Sequence, residues 1–127
     1  MSLEDVAFFQ KQGAVVLRNV ISSHELKVLR DGIDEVLRHP SPRAQIASEE
    51  SDKGRFFEDF NRWTDVPQLE LFVKGTQLGR IGACLMQSGT ATLYHDHVLV
   101  KEAGTSARTP RHQDQPYYDV EGSQTGK

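Results

Sequence analysis

His112 and Asp114 are separated by a single residue, Gln113. In an extended strand, residues i and i+2 point to the same side, about 6.5–7 Å apart along the chain. An imidazole and a carboxylate at that spacing face one point in space, and Gln113 faces away. Together they are two-thirds of a 2-His-1-carboxylate facial triad. That donor set holds non-haem Fe(II) on one side and leaves the opposite positions open. The plainer use of the same two residues is a surface ion pair. Context raises the metal reading: His95 and His97 lie upstream beside Asp96, and Tyr117 and Tyr118 follow directly. Paired strands lie about 4.8 Å apart. A strand carrying His97 and paired with residues 112–114 would therefore bring three ligands together, and His95 is the other candidate for that place. His24 and His39 fall near helix ends and read as surface residues.

The elements that must hold these residues follow from hydrophobic spacing. Residues 91–101 alternate, with Leu93, His95, His97, Leu99 and Lys101 on one face and Tyr94, Asp96, Val98 and Val100 on the other, which predicts a strand. A loop from Gly104 to Pro110 leads on to His112, and residues 91–118 are expected to be mainly strand. Upstream the pattern is helical. Ser2 caps a short helix with Val6, Phe8 and Phe9 on its apolar side, and Gly13 ends it. Ala14-Val15-Val16-Leu17 reads as a short buried strand near 14–18. Ser22-Ser23-His24-Glu25 is a capping box, followed by Leu26, Leu29, Ile33, Val36 and Leu37 at helical spacing and stopped by Pro40. Residues 40–54 read as a loop. Phe56, Phe57, Phe60 and Trp63 form an aromatic cluster, either core packing beneath that loop or the lining of a substrate pocket. Val66-Pro67 opens a helix that closes at Gly75. Thr76 is expected to cap the next helix, with Leu78, Ile81, Cys84 and Leu85 on its apolar side and Cys84 acting as a small buried hydrophobe.

Composition narrows the function. The 127 residues suit one domain, 1–127, with a helical part over 1–90 that includes one short strand and a strand-forming part over 91–127. A net charge of −3 and no basic stripe argue against a nucleic-acid partner. The longest apolar runs, Ala14–Leu17 and Val98–Val100, are too short to span a membrane. One cysteine excludes an internal disulfide and any multi-cysteine zinc site. The start, Met1-Ser2-Leu3-Glu4-Asp5, lacks the basic and apolar regions of a secretory signal, so a reducing, cytoplasmic location is expected.

Two stretches make the comparison with known proteins specific. Leu93-Tyr94-His95-Asp96-His97-Val98-Leu99-Val100-Lys101-Glu102-Ala103-Gly104, followed by Thr109-Pro110-Arg111-His112-Gln113-Asp114-Gln115-Pro116-Tyr117-Tyr118, resembles the phytanoyl-CoA dioxygenase family. Val6-Ala7-Phe8-Phe9 through Gly13-Ala14-Val15-Val16-Leu17-Arg18 resembles that family's helix, glycine and strand opening. The resemblance covers most of the chain, and His112-Gln113-Asp114 with Pro116-Tyr117 is its most specific part. It implies an α+β fold in which N-terminal helices precede the first strands of a jelly roll (a cupin-like double-stranded β-helix). It also implies Fe(II) as metal, 2-oxoglutarate as cosubstrate, ascorbate as a reductant, and hydroxylation of an unactivated C–H bond in a small organic or acyl substrate. Carried over by motif, His112 and Asp114 are the first two iron ligands. His97, Leu99 and Lys101 line the cosubstrate side of their strand, His97 as a direct contact and Lys101 as a charge near the pocket mouth.

One departure shapes the expectations. The family pattern places a second iron histidine and a 2-oxoglutarate-binding arginine well beyond the His-x-Asp strand, and no His or Arg follows Asp114 here. The sequence therefore reads as the N-terminal half of such an enzyme, truncated before the later jelly-roll strands. Half a jelly roll leaves sheet edges open, a liability in a monomer. Covering them falls to a C-terminal half or to a homodimer. The alternative function is a catalytically inactive member that acts as a binding or dimerising module.

Overall fold

The structure is a computed structural model and describes residues 1–122 and 124. Two capping boxes start the first two helices. In α1 (Leu3–Gln12) the Asp5 N–H donates to Ser2 Oγ, and the Ser2 N–H donates back to Asp5 Oδ2 at 2.7 Å. Gly13, at φ 74°, closes α1 by donating its N–H to the Phe9 carbonyl. In α2 (Ser23–Arg38) Ser22 and Glu25 repeat the box, with the Ser22 N–H donating to Glu25 Oε2 at 2.7 Å. α3 (Pro67–Gly75) begins with proline, whose missing N–H has no partner to lose at that position. α4 (Leu78–Leu85) follows and packs on α1.

Three strands form an open antiparallel sheet in the order β1-β2-β3: β1 (Gln45–Ile46), β2 (Phe56–Phe60) and β3 (His97–Lys101). The register pairs Phe56 with Lys101, Glu58 with Leu99 and Phe60 with His97, which puts these six side chains on one face. Phe57, Asp59, Val98 and Val100 share the other. That second face packs on α2 and α3 around a core of Val36, Phe57, Val66, Leu69 and Val98. Gly32 lets α2 and α3 approach closely: a Cβ there would lie 2.7 Å from Leu69 Cδ2. No helix among the described residues is long and apolar enough to cross a membrane.

The architecture is mixed α and β, and it departs from the sequence expectations in six places, the first being the expected 40–54 loop, where Gln45–Ile46 pairs with β2 as β1. Residues 14–17 carry no strand, and Val16 is 74% exposed, because the ladder bonds of a β-prone segment need a partner that the described residues do not offer. The aromatic cluster Phe56, Phe57 and Phe60 lies on a strand that was not expected there, so strands precede α3 and α4. Between 91 and 118 only His97–Lys101 pairs; residues 105–113 have no regular structure, and Gln115–Tyr117 is a single 3₁₀ turn. Thr76 ends α3, leaving Gln77 at the start of α4 with no side-chain cap. Cys84 is exposed, because α4 meets little besides α1 and its own apolar side stays largely uncovered.

Candidate metal and cosubstrate site

The entry to β3 is held by a buried polar pin. Asp59 is fully buried and accepts from the Ser41 N–H (2.9 Å), Ser41 Oγ (2.5 Å), the Phe60 N–H (2.9 Å) and Arg62 Nη1 (2.5 Å). Burial alone would push its carboxyl pKa up. The hydrogen bonds from Ser41, Arg62 and Phe60 outweigh that and hold it below the ordinary carboxylate value. Arg62 Nη1 also donates to the His39 carbonyl at 3.1 Å, tying the end of α2 to the sheet. Next along, Asn61 adopts φ 54°, and its N–H donates to the Asp96 carbonyl. The Arg62 and Trp63 N–H groups both donate to the Asp96 carboxylate at 3.1 Å. Asp96 thus locks the 61–65 turn onto the residue preceding β3.

From that anchor β3 presents His97, Leu99 and Lys101 on the face turned away from the helices. The His97 ring stacks on Phe60 with centroids 4.2 Å apart. Its Nε2 lies 3.3 Å from Glu58 Oε2. Leu99 is 47% exposed, and Lys101 Nζ sits 5.0 Å above the Phe56 ring. The aromatic cluster therefore divides its work: Phe57 packs in the core, Phe56 and Phe60 support side chains of the outer face, and Trp63 lines a cavity. That cavity, of about 330 Å³, runs along the free edge of β3 between His97–Leu99 and the apolar flanks of α2 and α3. His95 joins none of these and stands against Tyr94 and Tyr118, with ring centroids 5.3 and 5.1 Å away.

His112 and Asp114 meet each other. His112 Nδ1 lies 2.8 Å from the Pro110 carbonyl oxygen. A carbonyl only accepts, so Nδ1 carries the proton and the neutral ring presents its lone pair at Nε2. That nitrogen lies 3.1 Å from Asp114 Oδ1. A lone pair and a carboxylate oxygen this close need positive charge between them, either a second ring proton or a metal ion. Two donors bound side by side on an octahedral ion with bonds of about 2.1–2.2 Å lie about 3.0–3.1 Å apart. The Nδ1–H held by a backbone carbonyl is also the usual outer partner of a metal-ligating histidine. The pair thus fits two places on Fe(II). The described residues hold no group of three or more His, Cys, Asp or Glu able to bind a metal. His95 and His97 stand with other partners and do not complete this pair.

A family model for phytanoyl-CoA dioxygenase matches residues 9–126. The chain belongs to the phytanoyl-CoA dioxygenase family. No curated protein and no solved structure matches it. The matched stretch of this family member takes in the whole sheet, the Asp59–Arg62 pin and the His112–Asp114 pair. Sequence reasoning missed Glu58, Asp59 and Arg62. Glu58 and Asp59 sit inside β2, and recognising that strand from the alternation of Phe56, Glu58 and Phe60 would have placed Glu58 on the face of His97.

Proposed function

We propose that this phytanoyl-CoA dioxygenase family member works as part of an Fe(II)/2-oxoglutarate-dependent dioxygenase that hydroxylates a small organic or acyl substrate. The supporting observation is the His112–Asp114 pair, with one imidazole nitrogen committed to Pro110 and the other held beside a carboxylate oxygen. His112 Nε2 and Asp114 Oδ1 would hold the metal; the Pro110 carbonyl orients the ring, and the third ligand comes from outside the described residues. Bound there with 2-oxoglutarate, Fe(II) would activate dioxygen, one oxygen atom going into the C–H bond and the other into succinate as 2-oxoglutarate loses CO2. The chain's own part is to fix two donors on one side of the ion and to leave the other positions for cosubstrate and oxygen. The three-stranded sheet is then the beginning of a jelly roll whose later strands close over the outer face of β2 and β3, where Leu99 and Lys101 wait for cover. Iron titration with succinate detection tests this proposal: the complete oxygenase forms succinate, and His112→Ala does not. Succinate formation unchanged by His112→Ala overturns it.

A second reading has its own support. Two metal donors and an uncovered sheet edge also suit an inactive member that binds or dimerises through that edge. Stable folding with no iron bound in the complete protein would favour it.

A further inference from the structure

The outer face of the sheet carries a second histidine with a defined setting, and the metal pair makes no use of it. Glu58 and His97 are diagonal neighbours across the β2–β3 ladder. Their side chains are 20% and 23% exposed, and Glu58 Oε2 lies 3.3 Å from His97 Nε2. Nε2 itself is buried, and its alignment with Glu58 falls short of an ordinary hydrogen bond. The stack on Phe60, tilted by only 25°, fixes the plane of the ring. A bare nitrogen lone pair held this close to a carboxylate oxygen is repelled. A proton on the nitrogen turns the same contact into an attraction that partly shielded surroundings strengthen. Nε2–H is therefore the favoured form, and the neutral ring then carries its lone pair on Nδ1. His112 has the opposite arrangement, with Nδ1 protonated by its backbone partner.

We infer that Glu58 is a positioning residue for His97: it holds the ring proton on Nε2 and commits Nδ1 to accept. The ligand group that meets a neutral His97 is then a donor, such as a hydroxyl, an amide N–H or an ammonium. A carboxylate oxygen has nothing to offer that nitrogen. This revises the expectation that His97 contacts 2-oxoglutarate and assigns it instead to a hydrogen-bond-donating group on the substrate. The negative charge of Glu58 beside a neutral ring adds a preference for a cationic donor. The substrate assignment rests on the proposed dioxygenase function, because only there does this face look onto the reaction site; the placement of the proton does not.

The test is therefore spectroscopic. In 15N-labelled protein at alkaline pH, long-range proton–nitrogen correlations separate a protonated from an unprotonated ring nitrogen, and His97→Gln assigns the signals. The expected result for the native chain is a directly visible His97 Hε2 signal, slowed in exchange, with Nδ1 unprotonated. In Glu58→Leu that signal is lost to solvent exchange, while the backbone spectrum stays native. Glu58→Thr, a smaller strand-forming replacement, gives the same loss if the leucine variant does not fold. A proton on Nδ1 in the native chain, rapid averaging of the two forms, or an Hε2 signal unchanged in a folded variant would each overturn the inference. Because no turnover is measured, failure here is separate from failure of the dioxygenase reading, which shows in succinate formation.

Discussion

Replacing Asp59 with alanine is the most direct test of how the sheet is held. Asp59 has no exposure and accepts four hydrogen bonds, and Arg62 beside it is 6% exposed. Without the carboxylate, the guanidinium keeps only the His39 carbonyl at 3.1 Å and the half-exposed Asp65, 3.9 Å from Nε. Removing one partner of a buried ion pair costs about 3–5 kcal/mol, because the other charge stays buried without compensation. For a domain of this size each kcal/mol lowers Tm by about 4 °C, so Tm should fall by about 12–20 °C. Urea unfolding followed by fluorescence of Trp63, the single tryptophan, reads the loss at the turn the pin supports. Asp59→Leu combined with Arg62→Met should recover at least half of it, since an apolar pair of similar volume avoids the stranded charge. Acid unfolding reads the same carboxylate. The native carboxyl lies below the ordinary value, so its contribution is complete above the ordinary carboxylate range and disappears as pH falls through the native value. Asp59→Ala should therefore flatten the acid-side decline. A loss below about 1 kcal/mol, or a double variant no more stable than the single, would refute the argument from a stranded charge.

Gly32→Ala should destabilise by about 1–2 kcal/mol in urea, because the added Cβ meets Leu69 Cδ2 at 2.7 Å and Leu69 is too buried to move aside; a gain in stability would show that α2 and α3 separate freely. If His112 and Asp114 hold iron as proposed, Asp114→Glu should retain about 10-fold less iron or worse, measured by metal analysis after desalting, because the longer side chain moves the ligand oxygen further than a metal site tolerates. Residues 1–127 expressed alone with Fe(II), ascorbate and 2-oxoglutarate should form no succinate above a His112→Ala control, since the described residues bring no third ligand to His112 and Asp114. Reproducible succinate that depends on His112 would show that two donors suffice.

Local signals were legible in the sequence and long-range ones were not. Ser2 with Asp5, and Ser22 with Glu25, cap their helices from within four residues, so spacing alone finds those helices. The alternation of Val98 and Val100 against Leu99 and Lys101 likewise fixes β3. β2 escaped because Asp59 sits on its core side, where binary patterning asks for an apolar residue. The carboxylate is tolerated there only because Ser41 and Arg62 satisfy it, and Ser41 lies 18 positions away. Residues 14–17 erred the other way: their composition favours a strand, but a strand also requires a neighbour. At the candidate site, the His-x-Asp spacing identified the pair without the backbone that presents it. Pro110 lies only two residues from His112, but nothing in its residue type marks its carbonyl as the partner of the ring.

The β2–β3 ladder joins residues on either side of the segment 61–96, which contains α3 and α4. Closing so long a loop costs on the order of 3 kcal/mol in chain entropy before the first rung forms. The α2–α3 contact between Gly32 and Leu69 encloses a segment of the same length, 33–68, but it joins two helices that form locally, α2 from its own capping box and α3 from its N-terminal proline. Loop closure does not separate the two, so local helix formation is what favours one order: α2 and α3 are expected to dock through Gly32 and Leu69 before β3 joins the sheet beside Asp96. Chevron analysis should accordingly show that Leu69→Ala slows folding while Val98→Ala chiefly speeds unfolding, and the reverse pattern would place the sheet in the nucleus. A chain emerging from the ribosome presents α2, β1, β2 and α3 before the strand that bears His97, so one side of β2 stays open until β3 is made.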